Sequence, residues 1–298
     1  MNHEKNIKVN KKMLRIVPFS LYCRRKDARK KFIDMPEQNQ PSPVFSTRDY
    51  LSAQKQCEKI ASELGQPKFY IEKAADVSLS QEMFLTEPLV AKCLSIIQSR
   101  GDCLGHGLNH VRKVAVDAGA IVLIETEKIS NQRAQPRIIL LSHLAGLLHD
   151  IRRQEKGHAQ LGAETAAAIL ATDFHLVEKE GDFIVQAIRN HEAFQPFSNL
   201  QEPEAQLLSD SLYDADKFRW GPDNFTETIW AMAAPRQIPL QILLAHFLAG
   251  MDGIRRIRGT FRTNTGKIYG PDFIDLGLEI GLRLYEMLKN SAHREMES

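Results

Sequence analysis

The sequence predicts an all-α protein. From Tyr50 to about residue 290, apolar residues recur three and four positions apart in one segment after another. No two apolar runs are joined by an Asn-Gly or Asp-Gly hairpin turn. No repeat period emerges either, so the pattern reads as one helical domain and not a solenoid. With 43% hydrophobic and 26% charged residues, the chain has the balance of a globular protein and not of a disordered one.

The first helix is expected from Asp49 as N-cap to Gly65 as stop. Glu87-Pro88 opens the next, with Leu89, Val90, Cys93, Leu94 and Ile97 on one face and an end before Gly101. Further helical patterns lie at about 110–126, 137–150, 158–172, 178–191, 203–217, 224–233, 239–257 and 272–290. The domain is expected to span residues 48–290, leaving a short tail at 291–298. Residues 1–47 read as a basic arm and linker, expected to be disordered. Residues 1–31 hold eleven Lys or Arg and two acids, against 28 and 35 in the rest of the chain. Such an arm can attract nucleic acid or an anionic surface, but base-stacking aromatics are sparse in it. Met13 and Met35 stand as alternative starts that would place the arm outside the native protein. No run of about 18 apolar residues that would span a membrane occurs. Cys23, Cys57, Cys93 and Cys103 have neither C-x-x-C nor zinc-ribbon spacing. The expectation is a cytoplasmic protein with reduced thiols.

The segment Ile138–Leu148 is apolar on nearly every side, which places it in the middle of a bundle. It runs into His149-Asp150, and ionisable groups at the tip of a buried helix are costly unless paired. His191 continues the stripe of Phe183, Ile184, Ala187 and Ile188. Asp216 lies on the stripe of Leu208, Leu212 and Ala215, whereas Asp214 falls about 200° away round the helix. His110 begins a helix whose core face is Val111, Val114, Ala115 and Ala118. His158 begins another, backed by Leu161, Gly162, Thr165 and Ile169. Imidazoles and carboxylates converge with no thiolate nearby. That donor set suits a divalent first-row metal and not a cysteine-rich zinc site.

In this order, His110, His149-Asp150 within Ala-Gly-Leu-Leu-His-Asp-Ile, and Asp216 within Tyr-Asp-Ala-Asp-Lys-Phe resemble the H…HD…D pattern of the HD-domain superfamily of metal-dependent phosphohydrolases. His158 and His191 resemble the two extra histidines of its six-ligand members. The likeness covers about residues 87–235 and leaves out both the arm and the helices after 240. It implies a single HD-type helical bundle, with the later helices as a C-terminal extension. It also implies a ligand set of His110, His149, Asp150, His158, His191 and Asp216 for one or two ions, with Mn, Fe, Co, Ni, Zn and Mg not distinguished. Asp150 has two oxygens and is the natural bridge if there are two. Glu164, Glu192 and Asp214 are candidates to orient the imidazoles.

Arg152, Arg153, Lys156, Lys217 and Arg219 follow the ligands and are candidates to hold a phosphate. Asp150, Arg153 and Lys217 are the catalytic candidates. Ala-Phe-Gln-Pro after Glu192 departs from the Gly-Tyr-Pro of the cyclic-dinucleotide branch. Lys-Phe-Arg-Trp-Gly after Asp216 departs from the Arg-Leu-His-Asn of the alarmone hydrolases. The likeness is closer to small bacterial nucleotide hydrolases of the superfamily. The expected activity is hydrolysis of a phosphate ester or anhydride of a nucleotide or other small molecule. The alternatives are a metal-holding regulatory module without turnover and a nucleic-acid-directed phosphodiesterase served by the arm. His143 is expected to be a core histidine and His106 to lie outside the site. His175, His246 and His293 have no partner readable from sequence. Residues 259–267, with Arg255, Arg256 and Arg258, read either as a basic lid or as a surface loop.

Overall fold

The computed structural model describes residues 47–99, 107–130, 136–234 and 237–297, without the side chains at 291–297 and a few other helix-end positions. The basic arm with Met13 and Met35, Cys23, Cys103 and His106 lie outside the described residues. Twelve α-helices and one π-helical turn account for most of the described chain, with no strand among the described residues. In order they are α1 Thr47–Leu64, α2 Lys68–Glu72, α3 Ala74–Thr86, α4 Pro88–Ser99, α5 Gly107–Ser130, α6 Pro136–Leu148, α7 His158–Asp173, α8 Glu178–Asn190 and α9 Pro203–Phe218. The π turn Asn224–Thr228 follows, then α10 Ile229–Ala233, α11 Leu240–Ile257 and α12 Asn264–Glu297. None of the described helices is long and apolar enough to cross a membrane.

The all-round apolar helix α6 occupies the centre, and every residue from Ile138 to Leu148 is buried. α5, α8, α9, α3 and α4 pack around it, with α7 against α8. Gly146 makes the closest of these approaches possible. A Cβ there would stand 2.4 Å from the Cα of Ala115, so α5 and α6 touch backbone to backbone at the point where α6 delivers its terminal residues. The C-terminal helices α11 and α12 pack on each other, and α12 also lies against α1 and α9. Phe218 of α9 stacks on Phe273 of α12 with ring centroids 4.1 Å apart.

Several elements differ from the sequence reading. α1 begins at Thr47, so Asp49 lies inside its first turn and is not its N-cap. α2 and α3 were not expected. Only Ser80 and Phe84 of α3 are buried, so it has no apolar stripe to betray it. α12 begins at Asn264 and not near 272, because Gly270-Pro271 reads as a stop although the helix continues through Pro271. It also continues through Glu297, past the boundary set at 290.

The segment expected as a lid or surface loop is a packed connector. Phe261, Thr263 and Thr265 are buried. Asp214 accepts hydrogen bonds from the backbone N–H groups of Arg262 and Thr263 at 2.8 Å each, and from the Thr263 hydroxyl at 2.7 Å. Glu125 accepts from the N–H of Thr265 at 2.7 Å. Two buried acids from the bundle therefore receive the otherwise unpaired N–H groups at the start of α12. Gly266 is needed here, since a Cβ would fall 2.0 Å from Asp214 Oδ2.

His143 is a core histidine, as its place inside α6 suggested. It is 1% exposed, and its Nε2 lies 3.0 Å from Ser80 Oγ, which itself donates to the carbonyl of Val116 at 2.7 Å. Burial pushes its pKa down to about 4. A histidine that titrates near 6.5 when unfolded and near 4 when folded supports the fold above pH 6.5 and loses that support as the pH falls through 4. The full effect is about 3 kcal/mol. We therefore expect urea unfolding to show a larger fall in wild-type stability between pH 7 and pH 4 than in His143→Met. Equal falls would show that His143 is not held neutral by the core.

Candidate metal centre

Six side chains meet at one point, and all six come from helix ends. His110 lies in the first turn of α5, and His149 and Asp150 directly follow α6. His158 is the first residue of α7, His191 directly follows α8, and Asp216 is in the last turn of α9. Helix ends suit this purpose because their last carbonyls have no partner within the helix. His149 Nδ1 lies 2.8 Å from the carbonyl of Gly146, and His191 Nδ1 lies 2.6 Å from the carbonyl of Ile188. Each Nδ1–H donates to a backbone oxygen, and this leaves each Nε2 lone pair facing inward. That is how a protein prepares an imidazole to bind a metal.

Four donor atoms form one set. His110 Nε2 stands 3.3 Å from His149 Nε2, 3.7 Å from Asp150 Oδ2 and 3.4 Å from Asp216 Oδ1. His149 Nε2 stands 3.5 Å from Asp150 Oδ2 and 3.6 Å from Asp216 Oδ1. Donors that each lie about 2.0–2.2 Å from one ion are spaced about 3.0–3.6 Å apart, so the set has the dimensions of a coordination shell. The other oxygen of Asp150 faces a second set. Asp150 Oδ1 is 3.7 Å from His158 Nε2 and 3.5 Å from His191 Nε2. All the donors named are buried or nearly so.

The electrostatics call for a cation. Both oxygens of Asp150 and Nε2 of His191 are buried without a hydrogen-bond partner. Burial pushes the Asp150 carboxyl up, but Arg153 and His149 outweigh it and hold the group well below the usual carboxylate range. Burial also opposes ionisation of Asp216, and Lys217, His110 and His149 outweigh it in the same direction. Burial disfavours the charged form of His149, yet Asp150 and Asp216 together raise it to about 10. Two ionised carboxylates in a water-poor core thus recruit a proton. A divalent cation with imidazole and carboxylate donors answers the same demand better. The donor set fits a metal ion, and the cluster is able to hold one.

The cations expected at this site are placed differently from one another. Arg153 reaches the cluster, with NH1 3.6 Å from Asp150 Oδ1 and 3.2 Å from His158 Nε2. Lys217 is buried, and its ammonium pairs with Asp216 Oδ2. It lies 5.0 Å from the centroid of the Tyr213 ring. Arg219 is also buried and gives its terminal nitrogens to Asp117, Tyr70 and Asp223, so it is engaged within the protein. Arg152 is exposed and pairs with Glu155 at 2.6 Å, and Lys156 is exposed. Of the three acids considered for orienting imidazoles, Glu192 stands 3.7 Å from His158 Nδ1. Glu164 instead accepts from Gln160 on the surface. Asp214 points away from the cluster, yet it is fully buried and not solvated, and burial raises it to about 7.

A cavity opens beside the cluster. His110, Arg153, Asp216, Arg219 and Trp220 line one part of it, and residues of the π turn, α10 and α11 line the rest. The sequence reading assigned none of these later residues to the site. Their only signal is the stripe Leu243, Phe247, Met251 and Ile254, which reads the same as ordinary core packing.

Asp214 and Asp216 are two residues apart and serve different ends. Asp216→Asn should lower bound metal, measured by elemental analysis, and should also cost stability because it takes the carboxylate from the buried Lys217 ammonium. Asp214→Asn places an amide NH2 against N–H donors and should cost about 1–3 kcal/mol of stability while leaving metal content intact. Equal metal loss from both variants would contradict this division. Comparison of the chain with family models, curated proteins and solved structures returns no match.

Proposed function

We propose that this protein is a metal-dependent phosphohydrolase of the HD-domain type, acting on a phosphate ester or anhydride of a small molecule. The observation that supports this reading most is the Asp150 carboxylate. It is buried, lacks hydrogen-bond donors on both oxygens, and stands between two sets of inward imidazoles. A purely structural acid in such a place would be matched by backbone or side-chain donors, as Asp214 is.

His110, His149, Asp150 and Asp216 would hold one ion, and Asp150, His158 and His191 a second. A divalent ion supplies two things that phosphate hydrolysis lacks in water: polarisation of a phosphoryl oxygen and a nucleophilic water at neutral pH. The chain supplies the rest. Arg153 lines the cavity beside the ligands and meets the negative charge of the phosphoryl oxygens. Lys217 holds the second oxygen of Asp216 and so fixes which oxygen faces the cluster. Its role is positioning. Glu192, beside Nδ1 of His158, favours the tautomer with Nε2 turned to Asp150.

The test is hydrolysis of a panel of phosphomonoesters and nucleotides by protein reloaded with each of Mn, Fe, Co, Ni, Zn and Mg. His149→Ala and Asp150→Ala should each reduce phosphate release at least a thousandfold and lower bound metal. Full activity in either variant contradicts the assignment. The double variant His158→Ala/His191→Ala should take bound Mn from about two ions per chain to about one. A wild-type protein that never exceeds one ion per chain would make His158 and His191 contacts to substrate instead.

A further inference from the structure

The cavity beside the cluster carries a statement about the substrate. It measures about 100 Å³ and opens on one side to the residues of the metal centre. Away from His110, Arg153 and Asp216, its wall is hydrocarbon and aromatic, built chiefly by Phe225, Ile229, Leu243, Phe247, Met251 and Ile254. Arg219, Trp220, Asn224, Thr228 and His246 bring the polar groups on that part of the wall, and the terminal nitrogens of Arg219 are engaged by Asp117, Tyr70 and Asp223. A nucleoside would bring many hydrogen-bonding groups against a wall that is mostly hydrocarbon, and each group left unpaired is costly. The size argues in the same direction. An engineered apolar cavity of about 150 Å³ takes up benzene, so the apolar recess here suits a short hydrocarbon chain. One wall residue, Gly253, has no neighbouring atom within 4 Å of where its Cβ would stand. A glycine inside a helix costs about 1 kcal/mol relative to alanine, and here packing does not require it.

Resting on the phosphohydrolase reading, we propose that the substrate is an alkyl phosphate, with its phosphate at the cluster beside Arg153 and its hydrocarbon chain in the cavity. In the reaction the oxygen of water bonds to phosphorus and the P–O bond to the alkyl group breaks. The products are inorganic phosphate and an alcohol, with one proton of the water passing to the departing alkoxide oxygen. The apolar wall comes from the C-terminal extension and the turn before it, so these elements select the organic part of the substrate while the bundle holds the phosphate.

Binding and turnover are tested separately. Methyl-, propyl-, pentyl- and heptylphosphonate, which cannot be hydrolysed, are titrated into Mn-loaded full-length protein by calorimetry. Affinity should rise by up to about fourfold per added methylene. It should level off once the cavity is full, and pentylphosphonate should bind more tightly than adenosine monophosphate. Gly253→Leu should keep its metal and abolish the dependence on chain length. Gly253→Ala should move the plateau to a shorter chain. Release of phosphate from the matching alkyl phosphates should follow the same order. A flat affinity series, or tighter binding of the nucleotide, overturns the proposal and leaves the phosphohydrolase reading standing. A rising phosphonate series with no release from any ester overturns the hydrolytic step alone and supports the ligand class.

Discussion

A carboxylate at the end of the most buried helix organises this protein. Asp150 is 1% exposed, and the helix that delivers it contributes no solvated face. Ionised, it cannot be left alone in that setting, because an unpaired buried charge costs several kcal/mol. Five side chains answer it: His149 from the same helix end, and His110, His158, His191 and Asp216 from the ends of four other helices. Their convergence explains much of the bundle's geometry. The backbone contact at Gly146 sets α5 against α6. The spent carbonyls of Gly146 and Ile188 turn two imidazoles inward. The fold brings the donors together in a buried cluster that is able to hold a metal ion.

Much of this was legible in the sequence, for reasons that are physical. The centre of the bundle was visible because α6 is apolar on every side. Asp216 and His191 were visible because each continues a stripe, and a stripe fixes the direction of every residue on it. The same reasoning turned Asp214 away from the cluster, correctly, but could not say that α12 waits there to bury it. Contacts made by residues 48 or 49 positions apart leave no periodic trace. α3 stayed hidden because it buries only Ser80 and Phe84. The start of α12 stayed hidden because Gly270-Pro271 imitates a stop. Arg219 looked like a phosphate ligand from its place after Asp216. Asp117, an acid a hundred residues earlier, engages it.

The C-terminal extension changes the character of the site. The bundle supplies donors and charge, which any phosphate could use. α11 and the π turn add an apolar wall, and Asp214 and Glu125 tie the start of the adjoining α12 to the bundle. The wall residues fall on a stripe that doubles as core packing, so sequence could not separate lining from filling. The anchor lies in the segment that the sequence leaves as either a basic lid or a surface loop, directly after the helix that carries much of the wall.

The most direct measurement is anomalous diffraction from a crystal of the Mn-loaded protein. A metal centre on these donors gives a peak within about 2.0–2.3 Å of His110 Nε2, His149 Nε2, Asp150 Oδ2 and Asp216 Oδ1. An ordered crystal that shows Mn only at surface acids, with the six donors still clustered, would contradict it.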